Sequence, residues 1–178
     1  MNEYSILDKV MTSRVNQERA DFNTQEIISA LLKILSTKEE DILRRRHGLN
    51  GKQSETLEAI GKLYNVTRER IRQIENVAIR KIKSEKQFQK QIDAVQHPVL
   101  VILREEGGGI MEEDYLLEKL LGLSSDTPAS RYSILFLLTY FLDDKVEQHR
   151  PTDTLKQGWK MKTTPLGFSE SLIEALHE

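Results

Sequence analysis

The chain of 178 residues contains no cysteine. That excludes a disulfide framework and a thiolate metal site. Its histidines, His47, His97, His149 and His177, are widely scattered, and their spacing resembles no metal box. No paired carboxylates and no Ser/His/Asp order stand out. No catalytic residue, metal ligand or cofactor is therefore assigned, and the chain is not expected to be an enzyme. Long apolar runs are absent as well. The longest, residues 134–142, includes Thr139 and Tyr140 and is far too short to span a bilayer; it reads as a core helix. The N-terminus lacks a signal-peptide pattern. These absences point to the cytoplasm and to no membrane partner.

What is present is charge, unevenly placed. Charged residues make up 30% of the chain and hydrophobic residues 38%, as in soluble globular proteins, and the length suits one large or two small domains. The net charge of −2 hides a partition. Residues 35–90 carry 14 Lys/Arg against 8 Asp/Glu, a balance of +6, whereas residues 91–178 carry 8 against 15, a balance of −7. This asymmetry predicts a basic nucleic-acid-reading head and an acidic second module. A polyanion senses the local potential, because screening acts within about 10 Å at moderate salt.

The head contains a helix-turn-helix pattern. Leu57, Ile60, Leu63 and Tyr64 recur at helical intervals behind a possible Thr56 cap, with Glu58 in the first turn. Asn65 tolerates the left-handed geometry of a helix stop. Thr67 can cap a second helix, whose Ile71, Ile74, Ala78 and Ile82 form one apolar stripe. Arg68, Arg72 and Gln73 lie off that stripe near its start, where helix-turn-helix proteins reach base edges. Arg can bond guanine in bidentate fashion, Gln can bond adenine, and Glu can accept from the cytosine amino group. The Asn65-Val66-Thr67 sequon falls inside this unit and carries no meaning.

Residues 35–83 resemble region 4 of the RNA polymerase sigma factors, primary class. The matching pieces are Leu35-Ser36-Thr37-Lys38-Glu39-Glu40-Asp41-Ile42-Leu43-Arg44-Arg45-Arg46-His47-Gly48-Leu49, then Thr56-Leu57-Glu58-Ala59-Ile60-Gly61, then Val66-Thr67-Arg68-Glu69-Arg70-Ile71-Arg72-Gln73-Ile74-Glu75, then Ala78-Ile79-Arg80-Lys81-Ile82. The resemblance implies a domain that reads the −35 promoter element and docks on the flap of the polymerase β subunit. It places Arg68, Glu69 and Gln73 at base contacts. It places Lys38, Arg46, Leu57, Thr67 and Arg72 where the family grips or packs on the DNA backbone. It places Arg80, Lys81 and Lys83 on the face toward activators or polymerase. Lys38 stands where the family often has Arg, which keeps the charge but loses the planar fork. Val77 replaces a usual Lys or Arg. His47 replaces a usual Phe: either it weakens the flap-facing packing or it is a tolerated boundary residue, the second reading being preferred.

Around this core the sequence predicts helices at about 24–34, 37–47, 56–64 and 67–85, with capping boxes at Asn23/Glu26 and Ser36/Glu39. The last of these helices is expected to run on through Phe88 and Ile92 as a long connector. Residues 1–23 read as a helical extension, 24–90 as the head, 91–96 as a connector, and 97–178 as the acidic module beginning near His97-Pro98. In that module a helical turn at 99–103, a plain turn at Gly107-Gly108-Gly109 and a helix at 112–121 precede a third helix from Pro128. The third helix is expected to turn Ile134, Leu135, Leu137, Leu138 and Phe141 inward. Alternation at 145–150 and 158–163 predicts a short two-stranded wing, and a final helix is expected over 169–176. Helices followed by two strands suggest a winged helix, similar in order and acidity to the HARE-type domain of the polymerase delta subunit. Trp159 reads as a strand aromatic packed on the third helix rather than as an exposed wing contact.

The fold class expected is thus mainly α, a sigma region 4-like helix-turn-helix followed by a winged-helix domain. The function expected is a DNA-binding transcription regulator or partial sigma factor, with double-stranded promoter DNA and the polymerase β-flap as partners and a protein partner for the acidic domain. About 34 residues precede the segment that resembles region 4, with Tyr4 and Phe22 their only aromatics. The chain is accordingly not expected to act as a self-sufficient sigma factor. The alternative is an interaction protein that occupies the flap and displaces sigma without reading DNA.

Overall fold

The computed structural model describes residues 22–123 and 127–167. The helix expected over 169–176, and all of the N-terminal extension except Phe22 and Asn23, lie outside the described residues.

Side-chain caps set the helix boundaries of the first half. Helix α1 (Thr24–Leu32) starts at Asn23, whose Oδ1 accepts from the Glu26 N–H while its amide donates to Glu26 Oε1. Helix α2 (Thr37–His47) has a complete capping box between Ser36 and Glu39. It stops at Gly48, φ 67°, where a Cβ would come within 2.6 Å of the Lys52 carbonyl oxygen and 3.0 Å of the Tyr132 ring. Helix α3 (Leu57–Tyr64) is capped by Thr56 and ends at left-handed Asn65, φ 53°. Helix α4 (Arg68–Lys83) is capped by Thr67. The turn between α3 and α4 folds back so tightly that a Cβ on Gly61 would sit 2.7 Å from the Val66 carbonyl oxygen.

These helices form the expected helix-turn-helix around a small core of Ile42, Ile60 and Ile71, flanked by Leu57, Tyr64, Val66 and Ile74. Leu63, expected on the inner face, is 58% exposed. Helix α3 buries its inner arc between α2 and α4, and Leu63 falls outside that arc.

The second half departs from expectation in three places. The long connector is two helices: α4 ends at Ser84, whose hydroxyl donates to the Lys81 carbonyl, and α5 (Phe88–Glu105) begins afresh. Helix α5 runs straight through His97-Pro98, where the second module was expected to start. Pro98 forfeits one helical N–H, but Val95, Val99, Ile102 and Leu103 are buried on both sides of it and hold the helix together. Third, the sheet has three strands rather than two. Strand β1 (Ile110–Glu112) follows the glycine turn, ahead of α6 (Glu113–Leu123), α7 (Pro128–Tyr140), β2 (Val146–His149) and β3 (Gly158–Met161). The order in the sheet is β1-β3-β2, all antiparallel, with Trp159 opposite both Met111 and Gln148. Helix, strand, two helices and two strands is the order of a winged helix. Trp159 is 3% exposed, and its indole N–H donates to Glu113 Oε2 at 2.9 Å.

One hydrophobic core runs through both halves, from Phe22, Ile28 and Leu32 through Leu43, Leu49 and Ile82 to Val95, Leu103, Leu137, Leu142 and Trp159. Helix α7 lies across the join. It packs against α1 and α2 as well as against α6 and β2. This double burial corrects its expected face: Phe136 is 2% exposed, while Leu135 is only half-buried. Phe136 stacks on His47 at 4.7 Å between centroids. Gln25 donates to Ser133 Oγ at 3.1 Å, and Lys83 pairs with Asp143 at 2.7 Å.

Candidate nucleic-acid interface

Helix α4 has two opposite faces. Ile71, Glu75, Ala78, Ile79 and Ile82 are buried, whereas Arg68, Glu69, Arg70, Arg72 and Gln73 are all exposed at its first two turns. The three residues expected at base edges, Arg68, Glu69 and Gln73, thus share one solvent-facing surface. Glu69 and Gln73 are tied to neighbouring cations. Arg72 Nε and Nη2 donate to the two carboxylate oxygens of Glu69 at 2.9 and 2.7 Å. Arg70 Nη1 donates to Gln73 Oε1 at 3.2 Å. The Arg72 guanidinium holds the Glu69 carboxyl below the usual carboxylate range, and Glu69 in turn raises Arg72. Such bidentate pairing fixes the orientation of both groups.

The residues expected at the DNA backbone are less uniform. Thr67 is exposed, and its hydroxyl oxygen caps α4 by accepting from the Arg70 N–H at 3.1 Å. Lys38 is exposed on α2, its Nζ 5.0 Å from the centre of the Tyr64 ring. Leu57 packs on the small helix-turn-helix core. Arg46 is half-buried. Its Nη1 donates to the Glu55 carbonyl at 3.2 Å, and its Nε is buried with no acceptor among the described residues. Arg46 lines a cleft of about 320 Å³ between α2 and α7.

The face expected toward activators or polymerase is partly engaged within the chain. Arg80 is exposed and its Nε donates to the Asn76 carbonyl at 3.3 Å. Lys81 reaches Glu39 on α2, and Lys83 reaches Asp143 beyond α7. The Lys81 ammonium is the largest of the influences that lower the Glu39 carboxyl.

Two features escaped the sequence reading. Glu75, 7% exposed, binds His47 Nε2 at 2.7 Å and lies 3.5 Å from the Tyr140 hydroxyl. Its place within the apolar stripe of α4, one helical turn from Ile71, was the available signal. The other is Arg45, which joins Asp41 at 2.7 Å and Glu55 at 3.0 Å and so pins the loop that leads into α3. Tyr64 donates to the same Asp41; burial first, and that acceptor second, push its phenol upward. Among the described residues no group of three or more His, Asp or Glu could hold a metal ion, and no helix is long and apolar enough to cross a membrane.

Comparison with known proteins falls on this same region. The family described as Sigma-70, region 4 matches residues 31–84. The chain is 52% identical over 59 residues to the RNA polymerase sigma factor SigA1 of Synechococcus elongatus, covering 33% of this chain and 15% of that protein. It is 51% identical over 59 residues to SigA of a Nostoc species, again 33% and 15%. It is 52% identical over 66 residues to SigA of Clostridium acetobutylicum, covering 35% of this chain and 18% of that protein. The chain therefore spans under a fifth of the length of these sigma factors. Capped helices, the tight Gly61 turn, the polar face of α4 and the family match agree: residues 31–84 are a sigma-70 region 4 helix-turn-helix, set in a chain whose later helices and sheet lie outside the match.

Proposed function

We propose that this protein is a promoter-binding transcription factor, either a regulator or a partial sigma factor, that reads a −35-like element in the major groove with α4. The observation that carries the reading is the exposed set Arg68, Glu69, Arg72 and Gln73, in which Arg72 and Glu69 orient each other by bidentate pairing, set opposite the buried face of Ile71, Glu75, Ala78 and Ile82. Arg68 offers a fork to guanine, Glu69 an acceptor to cytosine, and Gln73 an amide to adenine. Lys38, Arg46, Thr67 and Arg72 supply the phosphate grip that fixes register. The +6 balance of residues 35–90 supports the same assignment.

The partners of the sigma factors it matches suggest RNA polymerase core as the second partner, met on the exposed side of α4 near Arg80. Leu43, Leu49, Ala78, Ile79 and Ile82 are buried in the common core and contribute no surface. The acidic winged-helix half is assigned a protein partner, and the site of action is the cytoplasm. Binding of the full chain to a −35-like duplex and to a scrambled duplex, alongside capture of core polymerase, tests the reading. Preference for the −35-like duplex supports it. Capture of polymerase with equal, weak affinity for both duplexes would replace it by flap binding without DNA reading.

A further inference from the structure

We propose that the cleft between α2 and α7 binds a phosphate of the DNA backbone, through Arg46 and Ser54 from the helix-turn-helix half and Tyr132 from the winged-helix half. The proposal rests on the DNA-reading function above and extends the footprint onto a helix outside the sigma match.

The polar groups lining the cleft sort into two sets. Thr139 donates its hydroxyl proton to the Leu135 carbonyl at 2.7 Å, and both His47 and Tyr140 turn to Glu75. The second set is Arg46, Ser54 and Tyr132. Arg46 Nε is buried with no acceptor among the described residues, and neither Ser54 nor Tyr132 makes a side-chain hydrogen bond with another of them. No carboxylate lines the cleft among the described residues. A fixed guanidinium with two hydroxyl donors, beside a Glu75 carboxyl already engaged by His47 and Tyr140, suits a tetrahedral oxyanion.

Position selects which oxyanion. Ser54 precedes the Thr56 cap of α3 by two residues, and Arg46 Nη1 holds the Glu55 carbonyl between them. In a helix-turn-helix the first helix crosses the backbone of the duplex, and the start of a helix favours phosphate. An anion in the cleft therefore lies alongside the strand that meets α3. Tyr132 is held in place by its ring, which packs against the Gly48 turn. Its hydroxyl gives the acidic half a neutral way to touch DNA.

The test uses the full chain with Tyr132→Phe, Ser54→Ala and Arg46→Gln. Loss of one hydroxyl hydrogen bond to a charged phosphate should weaken binding roughly 10- to 100-fold. Tyr132→Phe and Ser54→Ala should each do so equally on the −35-like and scrambled duplexes, because phosphate contacts carry no sequence. They should leave the salt slope unchanged, since a hydroxyl releases no counterion, whereas Arg46→Gln should flatten it by about one ion. Tyr132→Phe keeps the ring and Ser54 is exposed, so the fold is retained in both. The Arg46 Nε–H resonance, followed by nitrogen NMR, should move on adding duplex. Wild-type affinity for both duplexes in Tyr132→Phe and Ser54→Ala would overturn the proposal. So would an Arg46 resonance that answers inorganic phosphate but not duplex, which would mark a site for a free anion.

Discussion

His47 Nε2 lies 2.7 Å from Glu75 Oε1 and joins the end of α2 to the middle of α4. The pair is covered by the rings of Phe136 and Tyr140, which stand 4.7 and 5.0 Å from the imidazole. The histidine that departs from the sigma pattern thus has a partner of its own and a stacking role against α7. Replacing His47 by Phe would leave the Glu75 side chain with only the 3.5 Å Tyr140 hydrogen bond among the described residues. A buried polar group deprived of a hydrogen bond costs about 1–3 kcal/mol. Urea unfolding of His47→Phe should show a loss of that order, and a cycle with Glu75→Gln should reveal coupling above roughly 0.5 kcal/mol. Additive effects of the two substitutions would count against the pair.

A second expectation concerns acid. Lys81, with Ser36, holds Glu39 below the ordinary carboxylate range. A carboxyl lowered in the folded state stabilises fully above its unfolded pKa, and that stabilisation fades as pH falls through the folded value. Stability should accordingly be flat near neutrality and decline below the usual carboxylate range. Lys81→Met should shrink the part of that decline due to Glu39, moving its NMR titration midpoint upward. An unmoved midpoint would exclude Lys81 as the cause. Ser36→Ala should cost about 1 kcal/mol at neutral pH through loss of the cap.

DNA reading gives a third. Arg68→Ala should lose about 1–3 kcal/mol on the cognate duplex and relax preference at one base pair. Arg72→Ala should weaken all sequences and flatten the salt dependence by about one phosphate. Because Arg72 also holds Glu69 in a bidentate pair, this variant should blur the preference read by Glu69 as well. It should also raise the Glu69 titration midpoint toward the ordinary carboxylate value, so that binding of the variant becomes pH-sensitive at a higher pH than binding of the parent. If both variants match the parent on both duplexes, α4 is not a reader.

A fourth follows from α7. Removing a buried aromatic side chain typically costs about 3–5 kcal/mol. Phe136→Ala should fall in that range, and it should lower the stability of the helix-turn-helix amides in hydrogen exchange together with those of the winged half. Exchange confined to one half would show that the halves unfold separately. For the same reason, an isolated 24–90 segment, which ends inside α5, should melt below the full chain and bind a hydrophobic dye through the uncovered Leu43, Leu49 and Ile82 surface.

Much of this architecture was legible locally. Thr56, Thr67, Ser36 and Asn65 announce their caps and stops, because capping is decided by a few neighbouring atoms. The period of Ile60 and Ile71 reveals the small core for a similar reason. The break at Ser84 was hidden, since neither Gly nor Pro marks it. Strand β1 was hidden because three residues cannot display a period of two. Pro98 misled, as a helix buried along one face tolerates the missing N–H. Phe136, His47 and Glu75 depended on α7 meeting α2 across nearly ninety residues of sequence, which no local pattern encodes. Of the candidate site, the face of α4 was visible from spacing and family resemblance. The pairings of Arg72 with Glu69 and of Arg70 with Gln73 appear only in three dimensions.

The left-handed turn at Gly48, with the Tyr132 ring resting against it, bears on exchange between proteins. A side chain at Gly48 would meet the Lys52 carbonyl oxygen at 2.6 Å, closer than the ring at 3.0 Å, so the turn itself demands the glycine and Tyr132 is the position free to vary. A chimera with another tail therefore needs only a side chain of like size at the start of α7 to cover the turn.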